Sequence, residues 1–196
     1  MTEKDTKNLT VELFNHSAVI RFTQPEIKNP LSVETLEALK IILDELELNK
    51  NIAKIIFTGS GDTFASGANL REIAEIKKET AKEFALCGQN LMQTIYQSKK
   101  NTVAAIDGFC MGGALDLALS CKARIASLRS IFAHPGANLG IITGWGGTQR
   151  LPRLVGEANA LEIFLTAKRI GAKEALKIGL IDKIAENPLE FALANY

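Results

Sequence analysis

Residues 109–118 read "FCMGGALDLA": two glycines open an apolar stretch that carries one acid, Asp116. Helix side chains tilt towards the N-terminus, and positions three apart share a face. Asp116 therefore leans back over Gly113. The N–H of Gly113, in the first turn of the predicted helix, has no intrahelical acceptor. A carboxylate and an open N–H facing one small volume can hold a carbonyl oxygen and move a proton beside it. An acid in a first turn also suits the helix macrodipole, worth a few tenths to about 1 kcal/mol. The segment alone leaves both roles open.

Two other loops carry related features. In "GSGDTFASGANLREI" (59–73) a strand ending at Thr58 runs through Gly59, Gly61 and Gly67 into a helix that starts near Asn69. The spacing is not that of a dinucleotide fingerprint, and no Gly-Lys-Ser/Thr follows. A strand-to-helix turn capped by Asn69 is the plain reading. In "FAHPGANLGIITGWGGTQRL" (132–151) His134 follows a strand. In extended chain His134 and Gly136 face the same side. Gly144, Gly146 and Gly147 then form a turn before a helix with Arg150, and Trp145 is a packing residue able to line a pocket. A lone histidine is more often structural than catalytic. Taken together, the three loops imply backbone donors converging beside one acid. That is oxyanion-hole chemistry, suited to polarising a carbonyl and stabilising an enolate.

The elements that must position these loops alternate. "LTVELFN" and "SAVIRF" read as a hairpin turning at His16. "SVETLEALKIILDELEL" has helical spacing (Leu36, Leu39, Ile42, Leu46), with Ser32 as N-cap. "AKIIFTGSG" and "NTVAAIDG" are buried strands, the second ending at Gly108 with a helix expected to follow directly. "NLREIAEIKKE" and "AKEFALCGQNLMQTIYQS" are amphipathic helices. "ARIASLRSIFAH" holds two short strands. Two further helices and the strand "LIDKI" follow. Strands alternating with helices over short connections predict an α/β class with a largely parallel sheet. No linker or repeat divides the chain, so residues 1–196 are expected to form a single domain.

The composition narrows the class. Apolar residues are 46% and charged residues 23%, with a net charge of +1. Bulk charge gives no reason to expect nucleic acid or an anionic membrane as partner. No apolar run reaches spanning length, and the polar start gives no signal peptide. Cys87, Cys110 and Cys121 have no metal-type spacing and read as reduced core thiols, with reactivity at Cys110 as the minor alternative. A cytoplasmic location is expected.

The segments "IKNPLSVETLEAL", "DTFASGANLREI", "AAIDGFCMGGALDLALSCKARIAS", "IFAHPGANLGIITGWGGTQRLPRLVG" and "AKEALKIGLIDKI" resemble, in order and spacing, the crotonase (enoyl-CoA hydratase/isomerase) superfamily. The resemblance implies a spiral of ββα turns, two roughly perpendicular sheets ringed by helices, and a homotrimer or hexamer. It implies an acyl-CoA thioester as substrate and no separate cofactor or metal. Ala68 and Gly113 fall on the two oxyanion donors. Lys28, Asn29, Pro30, Leu31, Ser66, Leu70 and Arg71 fall along the CoA, with Lys28 or Arg71 towards its phosphates, and Gly136 and Gly144 fall beside the substrate. Asp116 stands where the family has its first glutamate. His134 stands where it often has glutamine, and Gly136 where it has a second glutamate. Asp116 and His134 are thus the catalytic candidates. The resemblance also implies helices beyond "LIDKI" that this chain is expected to lack. Hydration of a 2-enoyl-CoA is the leading expectation. The alternatives are an enoyl-CoA isomerase, a malonyl-type decarboxylase, or a non-catalytic acyl-CoA-binding or assembly protein.

Overall fold

The computed structural model describes residues 4–196. In chain order the elements are β1 (Lys4–Asp5), β2 (Leu9–Phe14), β3 (Ser17–Phe22), β4 (Pro30–Leu31), α1 (Val33–Leu48), β5 (Lys54–Thr58), β6 (Thr63–Ala65), β7 (Gly67–Ala68), α2 (Leu70–Glu75), α3 (Ala81–Gln97), β8 (Asn101–Ile106), β9 (Phe109–Met111), α4 (Gly113–Ser120), β10 (Ala123–Ala126), β11 (Ile131–Ala133), α5 (Gly147–Val155), α6 (Glu157–Thr166), β12 (Ile170–Gly171), α7 (Ala172–Lys177), β13 (Lys183–Ile184) and α8 (Pro188–Asn195).

Three sheets form. The largest has the order β1-β2-β3-β5-β8-β10-β13. It is antiparallel from β1 to β3 and parallel from there on. The second, β12-β11-β9-β6, is parallel except at β12, and β4 pairs with β7 in a short third sheet. From β5, β8 and β10 the chain passes to the second sheet (β6, β9, β11) before its next helix. These are the ββα turns of the expected α/β spiral.

The sequence dictates much of this directly. β5 is buried along its whole length, as a central parallel strand with both faces covered must be. α1 buries Leu36, Leu39, Ile42, Leu43 and Leu46 along one stripe, and Ser32 Oγ accepts from Thr35 N at its start. α4 lies so deep that Ala114 to Ser120 are all buried, which carries Asp116 inside. The outer face of the large sheet (Val19, Ile56, Val103, Ile125) is covered by α8 through Ala192, Leu189 and Phe191. The buried Lys54 amine donates to Ala192 O and Leu193 O, both at 2.9 Å, satisfying carbonyls at the end of that helix.

Five details differ from the sequence expectations. A further helix, α8, follows the "LIDKI" strand, where none was read; Asn187 caps it and Pro188 opens it. Phe109–Met111 is a strand between β6 and β11, and the helix waits until Gly113. Three residues are too few to display a period. The loop 59–69 likewise holds β6 and β7. The helix from Leu70 stops at Glu75, and Ile76 turns out with an extended backbone. His134 is followed by a 3-10 turn over Pro135–Leu139, since proline suits its first position, so His134 and Gly136 do not lie on one extended strand. All three cysteines are free. Cys110 and Cys121 are buried, and Cys87 is half-buried. Burial pushes the Cys121 thiol up to about 12 and the Cys110 thiol well above its ordinary value.

Candidate active site

The site is built where the second sheet meets α4. Gly112 joins β9 to α4 with φ 52 and ψ −120, a backbone that side chains resist, and its N–H donates to Ala133 O at 2.9 Å. Gly113 then begins the helix, so its N–H has no intrahelical acceptor. β7 runs directly beside it. An ideal Cβ on Gly67 would lie 2.9 Å from Gly113 N, and one on Gly113 would lie 3.3 Å from Ala68 N. The two predicted donors therefore lie next to each other, although 45 positions separate them in sequence.

They border a cavity of about 400 Å³. Ser66, Ala68, Leu70, Gly113, Asp116, His134, Gly136 and Gly144, all singled out in sequence, line it. Its apolar wall comes from Ile73 on α2 and Ile76 just after it, from Phe84 and Ala85 on α3, from Leu139, Ile141 and Ile142, and from Trp145. Ile76, the residue just beyond the end of α2, has an extended backbone and lines this wall.

Asp116 and His134 are 0% and 2% exposed. Asp116 Oδ1 lies 3.7 Å from His134 Nε2. Asp116 Oδ1 and both imidazole nitrogens have no hydrogen-bond partner in the protein, whereas Asp116 Oδ2 accepts from the Thr143 hydroxyl. Burial pushes the Asp116 carboxyl from its ordinary 3.8 up to about 7. The Thr143 hydroxyl, the Trp145 amide, the Arg150 charge and the Gly147 amide pull the other way. Burial lowers His134 from 6.5 to about 4, so at neutral pH the ring carries no charge. It also rests against Phe164, ring centroids 5.1 Å apart. The pair is thus an acid poised near neutrality beside a neutral imidazole, not an ion pair.

Gly136 is held shut. Ile141 N donates to Gly136 O at 3.0 Å, and an ideal Cβ on Gly136 would lie 2.6 Å from Ile141 O. A side chain there would have to push backbone aside.

The other residues expected along the CoA divide. Ser66 and Pro135 line both the main cavity and a neighbouring one of about 380 Å³ that also contains Lys28 and Arg169. The Lys28 amine is paired with Asp62 at 2.7 Å. Arg71 is exposed on α2, outside both cavities, its backbone N–H donating to Asn69 Oδ1 at 3.0 Å. Pro30 and Leu31 form β4, with Leu31 in the core. Asn29 is 1% exposed with φ 49, and its amide is fully engaged by backbone. Its Nδ2 donates to Thr63 O at 2.7 Å and Ser60 O at 3.1 Å, and its Oδ1 accepts from Gln24 N at 2.8 Å. Asn29 thereby tethers the loop that carries β6 and β7. Asn29→Ala is expected to destabilise the fold by about 2–3 kcal/mol, read as a lower urea midpoint at unchanged slope.

Two features were not legible in sequence, whereas Trp145 packs and lines the cavity as expected. Thr143 gave no motif, and Arg169 sits far along the chain. Trp145 is wedged between the two glycines Gly88 and Gly113, where any Cβ would overlap its ring. The Gln89 amide fixes the loop by donating to Gly144 O at 2.8 Å. Among the described residues, no helix is long and apolar enough to cross a membrane.

A model of the family described as enoyl-CoA hydratase/isomerase matches residues 14–190. The chain belongs to the enoyl-CoA hydratase/isomerase family. It is 36% identical to a short-chain-enoyl-CoA hydratase of Clostridium acetobutylicum, over 93% of this chain and 70% of that protein. It is also 36% identical to a crotonyl-CoA hydratase of Syntrophomonas wolfei, over 92% of this chain and 70% of that one. The crystal structure of an enoyl-CoA hydratase from Bacillus anthracis superposes with a TM-score of 0.89 at 33% identity, covering 96% of this chain and 73% of that one. The chain spans 65–70% of the length of the curated relatives it matches. The family's α/β spiral is the fold found here.

Proposed function

We propose that this chain is an acyl-CoA thioester enzyme that stabilises an enolate and adds water to a 2-enoyl-CoA. The observation that carries this is that Ala68 and Gly113, adjoining in space, and the buried Asp116 line one apolar-walled cavity. In this reading the two N–H groups hold the thioester oxygen, where charge develops as water adds to the β-carbon. Asp116, poised near pH 7, takes a proton from the water and returns one to the α-carbon. The neutral His134 orients the water. The apolar wall takes the acyl chain. The CoA leaves past Ser66 and Pro135 towards Lys28 and Arg169. A homotrimer or hexamer is the assembly we propose, to be read by analytical ultracentrifugation.

Gly136 favours a second reading of the same site. A backbone closed over that position leaves Asp116 as the one acid in the cavity lining. One acid is enough to move a proton between the α- and γ-carbons of a 3-enoyl thioester. The two reactions are separated by sign. Crotonyl-CoA hydration removes the absorbance of the conjugated thioester, and isomerisation of a 3-enoyl-CoA creates it. Loss of absorbance with crotonyl-CoA is the expected result. Retained binding of both thioesters with turnover of neither would overturn both readings and leave a binding protein.

A further inference from the structure

Asp116 has two unlike oxygens. Oδ2 accepts from the Thr143 hydroxyl, and Oδ1 has no hydrogen-bond partner in the protein and points towards His134 Nε2 at 3.7 Å. Thr143 belongs to the loop between the 3-10 turn and α5, and its hydroxyl reaches Asp116 across 27 positions of sequence. A carboxylate's last torsion is broad and nearly two-fold, so nothing within an aspartate decides which oxygen faces the cavity. A buried hydrogen bond to one of them does. The charged and titratable groups around this carboxylate come from three other elements: His134 after β11, Arg150 on α5 and Cys110 on β9. His134 is neutral and Cys110 keeps its proton, each because it is buried. The Arg150 guanidinium is occupied by Trp145 O at 3.3 Å and Gln93 Oε1 at 3.2 Å, and lies over the Tyr96 ring. It acts on Asp116 through space. Thr143 is the side chain that bonds the carboxylate directly.

We infer that Thr143 is a positioning residue for the proton transfer: its hydroxyl anchors Oδ2 so that Oδ1 is held towards the substrate and His134. This rests on the reading of Asp116 as the proton-handling group. A donated hydrogen bond also favours the ionised carboxylate. Removing it leaves only the Trp145 and Gly147 amides and the Arg150 charge to favour the ionised form, so the carboxyl takes up a proton more readily.

The test is Thr143→Val, nearly isosteric but without the donor, with Thr143→Ser as the conservative control. Two readouts are taken: the carboxyl-carbon NMR titration of Asp116, assigned with Asp116→Asn, and the pH profile of kcat and KM for crotonyl-CoA. Expected in Thr143→Val is an upward move of the Asp116 midpoint by about one pH unit. The rising limb of kcat moves with it, the high-pH plateau falls, and KM stays within about twofold. Thr143→Ser restores the midpoint and the plateau. Thr143→Ala only removes atoms, carries the same expectation, and replaces valine should that variant not fold. An unchanged midpoint with an unchanged kcat plateau in either donorless variant would overturn the inference. So would a loss that serine does not restore. If the wild-type protein turns over no thioester, the enzymatic reading fails on its own, and the NMR titration still decides what Thr143 does.

Discussion

Asp116→Asn is expected to lower kcat on the true thioester by about 10²–10⁴-fold, the usual contribution of a positioned acid–base group. KM should hold, because asparagine keeps the volume and can still accept from Thr143. In the proposed mechanism the carboxylate form of Asp116 is the base, so activity should rise with pH through about 7. The same substitution has an opposite effect on stability. Asp116 binds its proton more tightly folded, at about 7, than at its ordinary 3.8. Its contribution is therefore fully present below about 4 and lost as pH rises through 7, a difference of about 4 kcal/mol. His134 runs the other way. Its folded value of about 4 lies below the ordinary 6.5, so its contribution is present above 6.5 and lost as pH falls towards 4. Between about pH 4 and 6.5 the two slopes cancel. Asp116→Asn should expose the histidine slope, with stability rising by about 1.4 kcal/mol per pH unit across that window. It should also leave the variant more stable than wild type at pH 8. Urea melts at pH 4.5, 6 and 8 check this. A variant with wild-type turnover would remove Asp116 from the mechanism, and one with no stability gain at pH 8 would remove the burial argument.

Gly113→Ala is expected to damage both the fold and the reaction. Its new Cβ would overlap the six-membered ring of Trp145, and that indole cannot retreat, because Gly88 on α3 meets its other edge equally closely. Overpacking of this kind costs about 1–3 kcal/mol. Relief comes only by moving Trp145 or by moving the start of α4, which carries the Gly113 N–H. Misplacing one oxyanion donor should cost about 10²–10³ in kcat. Gly88→Ala crowds the same ring from the far side and leaves the donor alone, so it should lose stability with a much smaller loss of turnover. In Gly113→Ala with Trp145→Leu, stability should recover. Thermal melts and turnover of the three variants separate the effects. Equal kcat losses in Gly88→Ala and Gly113→Ala would mean that the indole, and not the N–H, matters to the reaction.

The fold was legible because its signals are local. The helical stripe of α1, the cap at Ser32 and the apolar strands β5 and β8 each sit within a few residues. So does the three-residue offset that stands Asp116 over Gly113. Motif order along the chain was sufficient to name the family. β9 and the strands in the loop after Thr58 escaped because elements of two or three residues carry no period.

What the sequence by itself determined is thus the alternation of strands and helices and the family, with Asp116, His134, Ala68 and Gly113 as the candidate site residues. What only the tertiary structure decided is their relation. Folding brings Ala68 beside Gly113, buries Asp116 Oδ1 and the His134 ring together without hydrogen-bond partners, gives Asp116 Oδ2 the hydroxyl of Thr143, and turns Asn29 into a backbone tether. The reason is range. Side-chain periodicity reports which face of an element is buried, and it carries nothing about which residue of a distant element will meet that face. Burial and hydrogen bonding across those distances set the proton affinity of Asp116, and with it the chemistry of the site.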